Sequence, residues 1–236
     1  MPDPVLYVAG DVHHDGSDPG FAHWLDALAA RRPARLVILG DLVEWWVDDG
    51  GSVARHEPVL ARLRALHARG WTVEVVRGNR EQVAGRAFEV ACGCRLRWPR
   101  LDVVLSGRTI RIVHGDRLVH DPGYRAWAAL SRSFFFQTWQ RLHPAALQEA
   151  VAGLLRRTSR GNHPQRPGRR RIFLDPRRVR AAARGADVLL AGHIHESWRR
   201  QVGGVDLILV GHWPPGRGHW VEGFADGRLE RCTGPT

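Results

Sequence analysis

Seven side chains able to bind metal recur at matching places along the 236-residue chain: Asp11, His13, Asp41, Asn79, His114, His193 and His195. Each stands at or just beyond the end of a short apolar run, and several follow a glycine directly, as in Gly10-Asp11, Gly40-Asp41, Gly78-Asn79 and Gly192-His193. A single Asp or His in such a place caps a turn or fills a hydrogen-bonded core position. Seven in corresponding places need another reason, because gathered carboxylates repel one another and clustered imidazoles gain little from packing. A shared pair of cations answers both. Mixed carboxylate and imidazole donors suit Mn²⁺, Fe²⁺, Co²⁺ or Zn²⁺ better than an all-oxygen Mg²⁺ or Ca²⁺ site. The expected grouping is Asp11, His13, Asp41 and His195 around one ion, and Asp41, Asn79, His114 and His193 around the other, with Asp41 as the bridge. Two ions about 3.5–4 Å apart can polarise one phosphate and draw a proton from water near neutral pH, so in-line attack on phosphorus is the chemistry implied.

Such residues need strands to carry them. Val5 to Ala9, Arg35 to Leu39 and Thr72 to Arg77 read as core strands. Between them, Phe21 to Arg31 and Ala54 to Arg69 hold apolar residues at helical spacing, with Phe21, Trp24, Leu25 and Leu28 in one stripe and Leu60, Leu63 and Leu66 in another. Alternating strand and helix predicts a layered α/β domain. Val103 to Leu105 and Thr109 to Val113 flank Ser106-Gly107-Arg108 as a hairpin, and its second strand stops at His114. Two further runs, Asp187 to Ala191 and Val205 to Val210, stop at Gly192-His193 and Gly211-His212. Glycine at a strand end lets the backbone turn tightly beside a bound group, and ligands of open α/β sheets sit beyond the strand C-termini.

The length and 44% apolar content predict a single domain over 1–236 with its own core. The formal charge is +11, and all 35 basic residues are arginine. GC-rich coding is one source of that bias, but the charge still favours anionic partners: nucleotides, phospholipid-like molecules, nucleic acid or an acidic membrane face. Cys92, Cys94 and Cys232 suggest neither a disulfide framework nor a cysteine metal site. No basic leader precedes the first apolar stretch and no run approaches about 20 apolar residues, so the chain reads as cytoplasmic and not membrane-spanning. Residues 121–162 read as a helical insert whose aromatics, among them Tyr124, Trp127, Phe134 and Trp139, serve either as core packing or as an apolar binding surface. Arg156 to Arg171 reads as a basic loop, and Cys232 to Thr236 as a fraying end.

The series Gly10-Asp11-Val12-His13, Gly40-Asp41, Gly78-Asn79-Arg80-Glu81, His114-Gly115-Asp116 and Gly192-His193-Ile194-His195 resembles the five motifs of the calcineurin-like metallophosphoesterases. The grouping of the histidines above also follows that family's pattern. The resemblance implies a four-layer α/β/β/α sandwich, two sheets flanked by helices, with the helical insert as an addition. A narrower likeness, over nearly the whole chain, is to the UDP-2,3-diacylglucosamine pyrophosphate hydrolases of lipid A synthesis. It is carried by Leu42-Val43-Glu44-Trp45-Trp46, by Arg80 directly after Asn79, and by Asp116 followed by Asp121, Tyr124 and Arg125. The insert, Arg157-Thr158-Ser159 with Asn162, and Ile172-Phe173-Leu174-Asp175 continue it. This likeness implies cleavage to UMP and 2,3-diacylglucosamine 1-phosphate, a Mn²⁺ pair, and an insert that caps an acyl-chain groove. The chain departs from that pattern at His212, at Glu196-Ser197, and in the Arg-rich segment after Asn162 where relatives place lysines.

Roles follow for the remaining residues. Arg80 is expected to clamp phosphate oxygens, His114 to hold one side of the metal shell, and Asp116 to orient a histidine or Arg80. Asn79, Arg80, Asp121, Tyr124, Arg125, Arg157, Arg160 and Asn162 are the expected substrate contacts. The expected partner is a UDP-linked acylated sugar, with reversible attachment to an acidic inner-membrane surface through the insert and basic loop. No stable protein partner is inferred. Three other readings stay open: hydrolysis of another nucleotide conjugate, a nuclease, and a non-enzymatic scaffold on the same fold.

Overall fold

The computed structural model describes residues 2–15, 19–46, 50–81, 84–119 and 173–235. The expected insert at 121–162, the basic loop at 156–171, and the expected contacts Asp121, Tyr124, Arg125, Arg157, Arg160 and Asn162 lie outside the described residues.

Among the described residues, four short strands alternate with three helices: β1 (Leu6–Ala9), α1 (Gly20–Ala29), β2 (Arg35–Ile38), α2 (Gly50–Ala68), β3 (Thr72–Val76), α3 (Arg86–Cys92) and β4 (Arg95–Arg97). A hairpin follows, β5 (Leu101–Leu105) and β6 (Arg108–Ile112), and then α4 (Pro176–Ala182), β7 (Val188–Ala191), β8 (Ser197–Val202) and β9 (Val205–Val210). The chain closes with β10 (Gly218–Gly223) and β11 (Leu229–Gly234). The strands form two mixed sheets, ordered β11-β10-β1-β2-β3-β4 and β5-β6-β7-β9-β8.

Side-chain alternation sets the layering. Because successive residues of a strand point to opposite faces, a strand buried on both sides reads as an unbroken apolar run. Tyr7, Ala9, Leu36, Ile38, Val73 and Val75 face α1, α2 and α3, where they pack with Phe21, Leu25, Leu28, Leu60, Leu63 and Phe88. Their neighbours Leu6, Val8, Val37 and Val76 face the second sheet and meet Ile110, Ile112, Val188, Leu190, Ile208 and Val210. On the far side of the second sheet, Leu189, Leu207 and Leu209 pack with Val179 and Ala183 of the α4 region. The result is an α/β sandwich of two sheets flanked by helices.

One buried cation fastens α4 to the second sheet. Arg111, 3% exposed, donates to both carboxylate oxygens of Asp102 at 2.7 and 2.6 Å and to the carbonyls of Ala182 and Arg184 at 2.9 and 2.7 Å. Burying an arginine is tolerable only when its donors are met, and four here are.

Two expectations are corrected. Cys92 and Cys94 form a disulfide. Gly93, in the left-handed region at φ +62°, turns the chain between them, and their Cα atoms are 5.3 Å apart. The segment from Cys232 to Gly234 does not fray, because it belongs to β11 and is paired along its length with β10.

Candidate metal centre

Parallel strands put their C-terminal ends at one edge. β1, β2 and β3 run parallel and deliver Asp11, Asp41 and Asn79. In the other sheet β6, β7 and β9 run parallel and deliver His114, His193 and His212. The two edges are tied together: the His193 N–H donates to Asp11 Oδ2 at 2.6 Å and the His114 ring donates from Nδ1 to the Leu39 carbonyl at 2.9 Å. Within the first sheet, Asp11 N–H donates to Gly40 and His13 N–H to Asp41, at 3.0 and 2.9 Å.

The backbone is strained where the candidate ligands stand. Six non-glycine residues among those described have φ between +49° and +69°, and five of them are Asp11, His13, Asp41, His193 and His195. The sixth, Ser106, turns the β5–β6 hairpin. Such conformations cost about 1 kcal/mol or more each and persist only where packing over-determines them. Two glycines allow the close approach that results. A Cβ on Gly78 would overlap the backbone nitrogen and carboxylate of Asp41, and one on Gly192 would overlap the Asp11 carboxylate.

Two sets of ligand atoms converge. Asp11, His13 and His195 form one, and Asp11, Asp41 and His114 the other, with the atoms of each set within 4.8 Å of one another. Asp11 is therefore common to both. Asp41 divides its oxygens between the sets, Oδ2 lying 3.9 Å from His13 Nε2 and Oδ1 lying 3.7 Å from His114 Nε2. His13 and His195 face each other through their Nε2 atoms at 3.2 Å. Asn79 Nδ2 donates to His193 Nδ1 at 3.1 Å, and the His193 ring lies 5.2 Å from that of His114, although His193 is in neither of the two sets.

These donors fit divalent ions. Asp11 Oδ1 and His114 Nε2 are buried with no hydrogen-bond partner, and buried lone pairs left without a donor are costly unless a cation meets them. Carboxylate oxygens mixed with imidazole nitrogens are the donors of a binuclear divalent site. The electrostatics agree. Burial pushes the Asp11 carboxyl up to about 7, with Asp41 adding to the rise. Burial also opposes charge on Asp41, but His114, His13 and Arg80 outweigh it and hold its carboxyl well below the usual range. His114, although disfavoured as a cation by burial, is raised to about 9 by Asp41, Asp11 and Asp116. His193 is lowered to about 4 by burial and by the neighbouring His114.

Arg80 lies at the same place. Its backbone N–H donates to Asp41 Oδ1 at 2.9 Å and its Nε stands 4.0 Å from Asp41 Oδ2. Asp116 is buried beside His114 and His193, close enough to raise the proton affinity of both.

Glu81 had no role in the sequence reading. It is fully buried and accepts the N–H groups of Asp41, Val43 and Gly78 at 3.0, 3.1 and 3.3 Å, so one carboxyl group clamps the Asp41 loop to the Asn79 loop. Burial, then the nearby Asp41, raises its own carboxyl to about 7. Its adjacency to Arg80 in the Gly78-Glu81 run was the available signal. His212, noted as a departure, stacks on His195 with ring centroids 4.9 Å apart and planes at 14°.

Residues 4–216 match the calcineurin-like phosphoesterase family. The chain is 31% identical over 223 residues to a UDP-2,3-diacylglucosamine hydrolase of Chromobacterium violaceum, covering 92% of this chain and 94% of that protein. It is 34% identical over 164 residues to the enzyme of the same name from Nitrosococcus oceani, covering 68% of this chain and 65% of that protein. A third, from Xanthomonas axonopodis, is 30% identical over 225 residues, with 89% and 91% covered. A strained strand-end edge with two convergent ligand sets and a family match over nearly the whole length lead to one assignment: the chain belongs to the calcineurin-like phosphoesterase family.

Proposed function

We propose that this chain hydrolyses the pyrophosphate bond of UDP-2,3-diacylglucosamine, giving UMP and 2,3-diacylglucosamine 1-phosphate. One observation carries the reading: two carboxylate–imidazole sets converge at one edge, with Asp41 reaching His13 of one set through Oδ2 and His114 of the other through Oδ1, in a chain similar along nearly all its length to hydrolases of that substrate. Asp11, His13, Asp41 and His195 would hold one ion and Asp41, Asn79, His114 and His193 the other, with Mn²⁺ as the native metal. A bound pair of such ions supplies the positive charge that activates water and polarises phosphoryl oxygens.

The chain's own residues do the positioning. The Leu39 carbonyl accepts from His114 Nδ1 and so turns Nε2 to the site, where an ion would replace the proton on it. Arg80, held by Asp41, turns its guanidinium to the phosphate oxygens as charge grows on them. Asp116 steadies His114 and His193 by its charge. Asp121, Tyr124, Arg125, Arg157, Arg160 and Asn162 are proposed to contact the substrate from within the insert and basic loop of a single domain, 1–236. The charge of +11 suits reversible attachment to the acidic cytoplasmic face of the membrane. No helix among the described residues is long and apolar enough to cross a membrane.

Incubation of the Mn²⁺-loaded protein with UDP-2,3-diacylglucosamine should release UMP, and non-acylated UDP sugars should be poorer substrates. Equal rates on both would favour hydrolysis of another nucleotide conjugate, a reading that the departure at His212 keeps in view. Absence of UMP release across several divalent metals would remove the assignment.

A further inference from the structure

The chain crosses from the first sheet to the second at the edge that carries the metal centre. β4 pairs with β3 so that Arg97 lies opposite Val76, and the Arg77 N–H donates to the Arg97 carbonyl at 3.0 Å. Trp98, the next residue, therefore leaves the first sheet beside Arg77, two residues before Asn79. On the other side Leu101 of β5 lies opposite Ile112 of β6, two residues before His114. Trp98, Pro99 and Arg100 thus join the two sheets at the end of the strands from which Asn79 and His114 follow.

This crossing is held firmly and yet presents a bare ring. Arg97 donates to the buried Glu74 at 2.7 Å, which fixes the residue just before Trp98. Trp98 itself is 54% exposed. The exposed Arg117, three residues beyond His114, lays its guanidinium over the indole at 5.0 Å from the ring centroid. Among the described residues Arg117 has no carboxylate partner and Trp98 no hydrogen bond, so the contact between them is the one interaction the two side chains are seen to make. An aromatic face backed by a guanidinium that has no carboxylate partner among the described residues, on segments that lead into the Asn79 loop and out of the His114 loop, has the chemistry of a nucleobase platform: an indole can stack on a base while the cation attracts ribose or phosphate oxygens.

We infer that Trp98 and Arg117 form the subsite that stacks the base of the nucleotide half of the substrate. The inference rests on the reading of a nucleotide conjugate as substrate and adds the residues that hold its base. Stacking is tolerant of base identity, so the platform secures any nucleotide half without discriminating among bases.

The test is calorimetric titration of the Mn²⁺-loaded full chain with UMP, with AMP and with inorganic phosphate, for wild type, Trp98→Ala, Trp98→Phe and Arg117→Gln. Trp98→Ala should weaken UMP and AMP about tenfold and leave inorganic phosphate unchanged, while Trp98→Phe, which keeps a ring, should stay within about threefold of wild type. Arg117→Gln should weaken the nucleotides less than Trp98→Ala does. Unchanged UMP affinity in Trp98→Ala, a parallel loss of phosphate, or absence of UMP binding by wild type would overturn the inference. UMP release from UDP-2,3-diacylglucosamine, run on the same samples, separates the two readings. Release by wild type with Trp98-independent UMP binding sinks the platform alone, and Trp98-dependent binding without release sinks the proposed substrate alone.

Discussion

The space between the two sheets and the edge just beyond it are built on opposite principles. Among the described residues the interlayer cluster consists of leucine, valine and isoleucine, with Val37, Leu39, Ile110 and Ile208 at most 1% exposed. Two to five residues past the ends of β1, β2, β3 and β6, Asp11, Asp41, Glu81, His114 and Asp116 are buried ionisable groups, and the backbone enters the left-handed region at Asp11 and Asp41. The interlayer uses close packing to fix the strands; the edge uses that rigidity to hold conformations and charges that would relax if the strands could shift. Stability and chemistry should therefore separate on mutation.

The largest expected effect is at the edge. Asp41→Ala should remove at least about a thousandfold of hydrolysis, equivalent to about 4 kcal/mol, and lower metal content measured by mass spectrometry, while its near-ultraviolet circular dichroism stays native. Full activity with wild-type metal content would refute the bridging role of Asp41. In the interlayer, Ile208→Ala should cost about 2–5 kcal/mol of unfolding free energy in urea while the folded fraction keeps its metal stoichiometry. A parallel loss of metal would show that the two regions are not separable. The smallest effect is on the helical face of the first sheet, at His56 of α2, which is 1% exposed with Nε2 3.2 Å from the Trp45 carbonyl. Burial lowers its imidazole from 6.5 to about 4. The unfolded chain takes up that proton first, so the contribution is complete above about pH 6.5 and is lost as pH falls toward 4, by about 1–3 kcal/mol. Urea unfolding at pH 7.5 and pH 5 should show a smaller acid loss in His56→Phe than in wild type.

The strands that carry the site were legible because each is buried on both faces. β1, β2, β3, β7 and β9 lie within a residue or two of the runs read from the sequence, and a Gly-Asp or Gly-His pair directly after an apolar run marks where a strand stops and a ligand begins. β8, with the sequence SWRRQV and no fully buried residue, has no such run, since it is an edge strand covered on few sides. β10 and β11 are not marked in the sequence for a related reason: their alternation is broken by Gly, His and Glu, and they are organised by pairing, β10 with β1 and β11 with β10. In the site, the ligand positions follow from local punctuation. Glu81 acting on residues 38 and 40 positions away, and Trp98 meeting Arg117 from the other sheet, depend on how the sheets are stacked, which no local pattern records.

The two sheets leave four strands, β4, β11, β5 and β8, each paired on one side only among the described residues. All four carry charge: Arg95 and Arg97, Glu230 and Arg231, Asp102, and Arg199 and Arg200. An open strand is a template on which another chain can add hydrogen bonds, and charged side chains along it make that docking costly. With a like-signed surface of +11 beyond them, neighbouring molecules repel before their backbones can meet. The arginines that border these sheets therefore help to keep the protein dispersed when it is crowded.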